Sequence, residues 1–251
     1  MNKVFTLIFA TIISLGLLSF NPFDKTPDLP IDPPTHLAFK NYAIALYNQI
    51  NDSSLKFNAF ETALNGFFKL QNDQKINNLK FLTIVDMSLS ANKERFFIID
   101  LDSKKLIHKS KVAHGRNSGG EYANIFSNKI GSYQSSIGFF KTAETYTGKH
   151  GISLRLDGLE FSNNNARNRA IVIHSADYVS DNFIFKNGRL GRSLGCPALP
   201  KKGFSEIIEK IKEGSIIYIY YPNESYFKKS KLAKFNINQL FENINNVSLT
   251  D

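Results

Sequence analysis

The residue of this chain best suited to covalent chemistry is its single cysteine, Cys196, which stands in the polar, glycine-flanked stretch 191–197 (GRSLGCP). Upstream, the apolar run 170–173 (AIVI) leads directly into His174. A thiol becomes a strong nucleophile when an imidazole or backbone N–H groups stabilise its thiolate and lower its pKa. Histidine is also the side chain best able to exchange a proton near neutral pH. The pair predicts a Cys/His acyl-transfer site with Cys196 as nucleophile and His174 as base.

Several neighbours are candidates for supporting roles. Gly195 permits a turn that other residues resist, so N–H groups at Gly195 and Cys196 are candidate oxyanion donors, with Ser193 beside them. Ser175 is a candidate for orienting the imidazole through its hydroxyl or its carbonyl. Two further histidines, His114 and His150, are rival bases or substrate-binding residues.

Other site types fit the residue order less well. The pattern G-x-S-x-G at 191–195 resembles the nucleophile elbow of α/β hydrolases, in which the histidine follows the serine. Here all five histidines precede Ser193, and the same order argues against a papain-like site, in which cysteine comes first. The cysteine and histidines lack recognisable zinc-ligand spacing. We therefore predict no metal and no organic cofactor.

The surrounding elements indicate a mainly β, α+β domain. Short β-rich runs occur at 81–85, 95–101, 106–113, 138–141, 152–156 and 170–173. Asp157-Gly158 predicts a tight hairpin turn between 154–156 and 159–161. One amphipathic helix at 204–211 and an alternating final strand at 215–221 follow the cysteine.

The N-terminal part predicts a different organisation. Helical spacing at 37–50 and 57–70 indicates a helical hairpin. The predicted order is a signal peptide or membrane anchor at 1–20, a proline-rich tether at 21–35, a helical extension at 36–72, a catalytic domain at 79–221 and a polar tail at 222–251, either one surface helix or irregular. We therefore expect an exported protein that faces the cell envelope, in which an unpaired thiol needs a special explanation.

The formal net charge of +9 favours anionic partners. The positive residues are scattered, and the chain contains no tryptophan and no recognised nucleic-acid motif. We therefore expect an anionic polymer of the cell envelope rather than nucleic acid as the partner.

The active-site pattern is similar to that of murein L,D-transpeptidase catalytic domains, in which a strand histidine precedes Ser-x-Gly-Cys by about twenty residues. Here these residues are His174 and Ser193-Leu194-Gly195-Cys196. The similarity extends over about 79–221. It includes 112–115 (VAHG), 135–140 (SSIGFF), 148–156 (GKHGISLRL) and 173–178 (IHSADY). The resemblance implies a sandwich-like or closed sheet and sensitivity to carbapenems.

The chain also departs from the family pattern. Many members carry a second histidine at the position of Leu194 and an arginine shortly after the cysteine, where this chain continues Pro197-Ala198-Leu199. It resembles a divergent branch with Cys-Pro. Arg192 and Arg189 are the nearby candidates for binding substrate in place of that arginine.

The resemblance implies that Cys196 attacks the bond between a diamino acid and D-alanine in a peptidoglycan stem peptide, and that an amine of a second stem accepts the acyl group. With water as acceptor, the protein would be an L,D-carboxypeptidase. A secreted basic domain that binds cell-wall polymer without catalysis is the third hypothesis.

Overall fold

A computed structural model of the chain describes residues 36–148 and 151–234, with side chains from Phe39 onward. Several predicted features lie outside the described residues. They are the export segment at 1–20, the tether at 21–35, His150 and the last part of the tail. No helix among the described residues is long and apolar enough to cross a membrane.

The predicted helical hairpin is confirmed. Helices α1 (His36–Ile50) and α2 (Phe57–Asn72) are joined by a turn in which Asp52 Oδ1 accepts a hydrogen bond from the Ser54 N–H at 2.8 Å. Helix α2 buries the face that carries Phe60, Leu64 and Phe67. The apolar residues that recur at helical spacing are thus the ones that α2 buries against the rest of the domain.

Within residues 36–148 and 151–234, eight strands form one sheet. They are β1 (Phe81–Asp86), β2 (Phe96–Asp100), β3 (Lys105–Ser110), β4 (Gly138–Gly148), β5 (Gly151–Gly158), β6 (Val172–Ser175), β7 (Ala198–Leu199) and β8 (Ile216–Tyr220). The order across the sheet is β3-β2-β1-β8-β4-β5-β6-β7. The pairs β1/β8 and β6/β7 are parallel and the other pairs antiparallel.

The two outer strands of the sheet approach each other. Ala113, shortly after β3, forms a bridge with Ala198 of β7, and the Ala113 N–H donates to the Ala198 carbonyl at 2.9 Å. The sheet is therefore nearly closed, and the predicted α+β class with a closed sheet is confirmed. This closure places the loop before β7, which contains Cys196, against the segment after β3.

The helices on the C-terminal side differ partly from prediction. Helix α3 (Asp181–Asn187) was not predicted, because it buries no side chain and so lacks an apolar stripe. Helix α4 (Phe204–Ile211) is the predicted helix after the cysteine. Helix α5 (Glu224–Lys229) lies in the predicted tail, for which one surface helix was one of the two alternatives, so the part of the chain described up to residue 234 contains two helices after the cysteine.

The predicted turn at Asp157-Gly158 is wrong. Both residues belong to β5 and pair with Lys141 and Phe140 of β4, and residues 159–161 form no strand. A Cβ on Gly158 would lie 1.9 Å from the backbone oxygen of Asn163. Glycine is therefore required here for close approach of another segment.

The final strand also differs in its pattern. Strand β8 coincides with the predicted strand, but all five of its residues are buried, so the expected alternation is wrong. Its position in the middle of the sheet explains this burial, since central strands covered on both faces are apolar throughout.

Candidate active site

Strand pairing brings the His174 segment beside the Cys196 segment. His174 lies opposite Ala198 in the parallel β6/β7 pair, and its N–H donates to the Pro197 carbonyl at 3.4 Å. Paired strands are about 4.8 Å apart. Cys196 immediately precedes Pro197. The backbone segment that contains Cys196 therefore runs beside the backbone of His174.

The loop at 191–197, called here the nucleophile loop, is held by its own side chains. Ser193 Oγ accepts a hydrogen bond from the Gly195 N–H at 3.0 Å and donates to the Cys196 carbonyl at 2.6 Å. Ser135 Oγ donates to the Gly195 carbonyl at 3.2 Å. Ser193 therefore shapes the turn, and the Gly195 N–H is already engaged.

Gly195 is required by its conformation. Its φ of 126° lies in a region that favours glycine, and a Cβ there would lie 2.9 Å from the Gln134 carbonyl oxygen. The Cys196 N–H donates no hydrogen bond within residues 36–148 and 151–234. The turn therefore leaves this N–H available as a donor.

The nucleophile loop is also fixed to the segment after β3. The Ser193 N–H donates to the His114 carbonyl at 2.9 Å, and the Arg116 N–H donates to the Ser193 carbonyl at 2.8 Å. The loop therefore sits on a rigid frame, as a reacting group requires.

The Cys196 side chain is half-buried, and its Sγ donates to the Ala170 carbonyl oxygen at 3.6 Å. Burial raises the pKa of the Cys196 thiol, although the Val172 N–H and the Arg169 charge lower that pKa in part. The expectation of a lowered thiol pKa is therefore wrong for the resting structure. Ionisation of this thiol requires a base.

His174 is buried and its ring is oriented by the next residue. Its Nδ1 lies 3.0 Å from the Ser175 carbonyl oxygen. A carbonyl only accepts hydrogen bonds, so this contact assigns the proton of the neutral ring to Nδ1. Nε2 then carries the lone pair of the ring, and the group of Ser175 that contacts the ring is its carbonyl rather than its hydroxyl.

His114 is in a different environment. It is fully buried, and Arg95 Nη2 donates to its Nδ1 at 2.8 Å. Burial, followed by the Arg95 charge, lowers the pKa of His114 to about 4. The contact holds the imidazole neutral against a buried guanidinium, which is the arrangement of a structural histidine.

The two arginines expected near the substrate contact backbone carbonyls. Arg192 Nη1 donates to the carbonyls of Arg116 and Gly119 at 3.1 and 2.9 Å. Arg189 Nη1 donates to the Leu190 carbonyl at 2.9 Å.

Two residues near the sulfur were not singled out from the sequence. Arg169 lies against the nucleophile loop, with its Nη2 3.2 Å from the position that a Cβ of Gly195 would take. The Tyr178 pKa is raised to about 12 by burial and then by the negative charge of the Cys196 thiolate. The available signal was their position, since they flank the strand that carries His174.

Tyr178 also explains Gly191. A Cβ on Gly191 would lie 2.4 Å from Cβ of Tyr178, whose carbonyl accepts a hydrogen bond from the Gly191 N–H at 2.9 Å. Tyr178 thus forms a wall beside the nucleophile loop. Among the described residues, no group of three or more His, Cys, Asp or Glu side chains is placed to hold a metal ion.

Comparison with known proteins gives one family match. The family model described as an L,D-transpeptidase catalytic domain matches residues 51–220. No curated protein matches the chain.

Solved structures similar to the chain include two mycobacterial proteins. An L,D-transpeptidase from Mycobacterium smegmatis is 12% identical, with a TM-score of 0.35, over 57% of this chain and 59% of that one. L,D-transpeptidase 3 from Mycobacterium tuberculosis is 10% identical, with a TM-score of 0.37, over 57% and 61%.

A third similar structure is a fused Zn-dependent amidase/peptidase/peptidoglycan-binding domain-containing protein from Clostridium acetobutylicum. It is 16% identical, with a TM-score of 0.36, over 76% of this chain and 65% of that one. The chain thus spans less than two thirds of the length of all three structures.

Proposed function

We propose a specific reaction for this chain, which belongs to the L,D-transpeptidase catalytic domain family: Cys196 transfers the acyl group of a peptidoglycan stem peptide to an amine acceptor. The observation that carries the proposal is the orientation of His174 by the Ser175 carbonyl, on a strand paired with the segment that follows the only cysteine. This geometry supports Cys196 as the nucleophile and His174 as a base of defined tautomer.

The first step is removal of the thiol proton. Because burial raises the Cys196 pKa, the thiol is mainly protonated at neutral pH. It has to exchange its contact with the Ala170 carbonyl for one with His174 Nε2, which takes the proton. The imidazolium formed keeps its Nδ1–H on the Ser175 carbonyl.

Acylation then follows. The Cys196 thiolate attacks the carbonyl of the diamino acid, and a carbon–sulfur bond forms. The Cys196 N–H is the donor for the oxyanion, because the Gly195 N–H is bound to Ser193 Oγ. As the carbon–nitrogen bond breaks, His174 Nε2 returns its proton to the departing D-alanine amine.

Transfer completes the cycle. The amine of a second stem peptide attacks the thioester and gives up a proton to His174 Nε2, while the Cys196 sulfur leaves as thiolate and is reprotonated. The product is a cross-link between two stems. If water takes the place of the amine, the same steps give an L,D-carboxypeptidase that shortens the stem.

The proposed substrate also assigns a location. Peptidoglycan stems lie outside the cytoplasmic membrane, so we propose that the protein is exported and works in the cell envelope, with residues 1–20 as signal peptide or anchor. The positive charge of +9 supports attraction to anionic envelope polymers.

Incubation of the full chain with purified tetrapeptide muropeptides tests the reaction, with released D-alanine and cross-linked products measured by mass spectrometry. We expect D-alanine release from the native chain, none from Cys196→Ala, and release about 10²–10⁴-fold slower from His174→Ala. Cross-linked products identify a transpeptidase, and tripeptide alone identifies a carboxypeptidase.

The other histidines supply the controls. His108 lies in β3, and His108→Gln is expected to keep full activity. His114→Ala and His150→Ala test the rival bases. Loss of activity in one of these two with His174→Ala active, or turnover by Cys196→Ala equal to the native rate, would overturn the assignment. Tight sacculus binding by both native chain and Cys196→Ala, with no product, would identify a binding domain instead.

A further inference from the structure

Arg169 donates four hydrogen bonds through its two Nη groups. Its Nη1 donates to the Ser127 carbonyl at 2.7 Å and to Ser136 Oγ at 2.5 Å. Its Nη2 donates to the Gln134 carbonyl at 2.6 Å and to Ser132 Oγ at 3.3 Å. The four hydrogens of the two Nη groups thus meet four acceptors, which prevents the guanidinium from turning toward a substrate carboxylate.

All four acceptors of Arg169 are neutral, and among the described residues no carboxylate pairs with it. The nearby Arg167 differs, because it pairs with Asp157 and Glu144 on the surface. The positive charge of Arg169 is therefore held in place without a compensating anion.

This charge lies against the nucleophile loop. Nη2 of Arg169 is 3.2 Å from the position of a Cβ on Gly195, the residue before Cys196. The same segment provides the Ala170 carbonyl that accepts the Sγ–H hydrogen bond and the Val172 N–H that favours the thiolate. The segment 169–172 thus lines one side of the Cys196 sulfur.

We infer that Arg169 is a positioning residue whose fixed positive charge stabilises the Cys196 thiolate and whose hydrogen bonds hold the 127–136 loop against the nucleophile loop. The inference rests on the proposed function only in that the thiolate is the reacting species. It differs from the role expected for Arg192 and Arg189, because it assigns electrostatic support of the nucleophile rather than substrate binding.

The electrostatic direction agrees with this geometry. The Arg169 charge lowers the pKa of Cys196, and the thiolate charge raises the pKa of Arg169 against the effect of its burial. The charge of the Cys196 thiolate also raises the pKa of Tyr178. His174 lies on β6, which pairs with β7, the strand that follows Cys196. Without Arg169, burial would still raise the pKa of Cys196, and no positive charge of this residue would oppose that rise.

The test measures the ionisation of Cys196 directly. Since the chain has one cysteine, the rate of reaction with a small disulfide reagent across pH reports this thiol alone. We expect Arg169→Gln to raise the pH midpoint by about one unit or more, which is about a tenfold loss of thiolate at a given pH below it. Arg169→Lys keeps the positive charge, so its pH midpoint is expected to lie closer to that of the native chain than to that of Arg169→Gln.

Arg167→Gln is the matched control, because it removes an arginine two positions away. Its pH midpoint is expected to equal that of the native chain. If Arg169→Gln fails to fold, Ser132→Asp places a carboxylate beside Nη2 and is expected to raise the midpoint, whereas the neutral Ser132→Asn is not. A midpoint unchanged in folded Arg169→Gln, or unchanged in Ser132→Asp, would overturn the inference.

The reagent is not a peptidoglycan substrate, so the two proposals fail separately. An absence of D-alanine release from the native chain contradicts the proposed function and leaves the midpoint comparison valid. An equal midpoint in all variants, with D-alanine release intact, contradicts the role of Arg169 alone.

Discussion

The Cys196 sulfur shows how a few close neighbours set the state of a reactive residue. Burial raises its pKa, while the Val172 N–H and the Arg169 charge oppose that rise. Its S–H donates to the Ala170 carbonyl, a contact that favours the protonated form. The thiol is therefore protected at rest, and reactivity depends on a proton acceptor, the role proposed for His174.

Individual residues differed in how far the sequence could predict them. The spacing of His174 and Cys196 indicated a pair, and the structure places His174 on β6, which pairs with the strand that begins two residues after Cys196. The role of Arg169 could not be predicted, because its partners at 127–136 are distant in sequence and adjacent only in the fold. The thiol pKa could not be predicted either, since desolvation depends on packing that a motif does not encode.

His114 predicts a residue-scale pH effect on stability. Its folded pKa of about 4 lies below the usual 6.5. Stability from the neutral ring is thus fully present above pH 6.5 and is lost as pH falls toward 4. The difference corresponds to about 3 kcal/mol. Urea unfolding of the native chain at several pH values measures it.

The His114→Asn variant provides the comparison for this effect. Asparagine retains an oxygen that can accept from Arg95 but does not titrate. Between pH 7 and pH 4, we expect the native chain to lose about 3 kcal/mol more unfolding free energy than the variant. Parallel pH curves for both proteins would show that His114 does not carry the effect.

Among the elements, the β4/β5 pair contains the dipeptide Asp157-Gly158, whose glycine can be required either by a tight turn or by the close approach of another segment. Asp-Gly is typical of tight turns because glycine tolerates positive φ. Here the strand continues through Gly158, and Asn163 approaches its backbone closely. Local sequence does not distinguish the two, because the approaching segment is defined only by the tertiary fold.

Gly158→Ala tests this explanation. Its Cβ would overlap the Asn163 carbonyl oxygen, which belongs to the backbone and cannot rotate away. We expect a loss of about 2 kcal/mol or more in unfolding free energy, measured by chemical denaturation. Gly120→Ala, where a Cβ meets nothing within 4 Å, is expected to be neutral or slightly stabilising. Equal effects of the two changes would contradict close approach.

The C-terminal helices were predictable only in part. Helix α4 has four buried apolar residues at helical spacing and was predicted. Helix α5 instead attaches through Tyr226, whose hydroxyl donates to Glu160 Oε2 at 2.7 Å. Ser230 donates to the other oxygen of this buried carboxylate. Because these polar partners are far apart in sequence, no local period indicates how the tail packs.

At the scale of the whole molecule, the helical hairpin shares the core of the sheet. Apolar residues of α1 and α2 belong to the same buried cluster as those of β1, β4 and β8. Gly66 of α2 allows the Phe139 ring to approach, since a Cβ there would lie 2.2 Å from that ring. The hairpin thus covers apolar surface of the sheet.

Removal of the hairpin predicts loss of folding. Each fully exposed Leu or Phe costs about 1.5–3 kcal/mol, and several partners of α1 and α2 would be exposed together. This sum approaches the total stability of a typical domain. We expect the fragment 79–234 to show no cooperative thermal transition and the fragment 36–234 to retain one. Cooperative unfolding of 79–234 near the temperature of the longer fragment would contradict a shared core.

The overall architecture was predicted in class but not in topology. The six β-rich runs and the predicted final strand indicated seven of the eight strands within the described residues, and the resemblance to murein L,D-transpeptidases supplied the expectation of closure. Strand β7 has only two residues and is defined by its neighbours β6 and Ala113 rather than by its own pattern. Long-range pairing of this kind is what brings the two halves of the site together.

Intact-protein mass spectrometry after exposure to a carbapenem tests the central claim most directly, because it reports the reactivity of the thiol and its position in one experiment. Imipenem is a suitable reagent, because it is a carbapenem and the resemblance to murein L,D-transpeptidases implies sensitivity to carbapenems. We predict one covalent adduct on the native chain, located by peptide mapping at Cys196, and none on Cys196→Ala. An adduct of equal yield on Cys196→Ala, or none on the folded native chain, would contradict Cys196 as the acyl-accepting nucleophile.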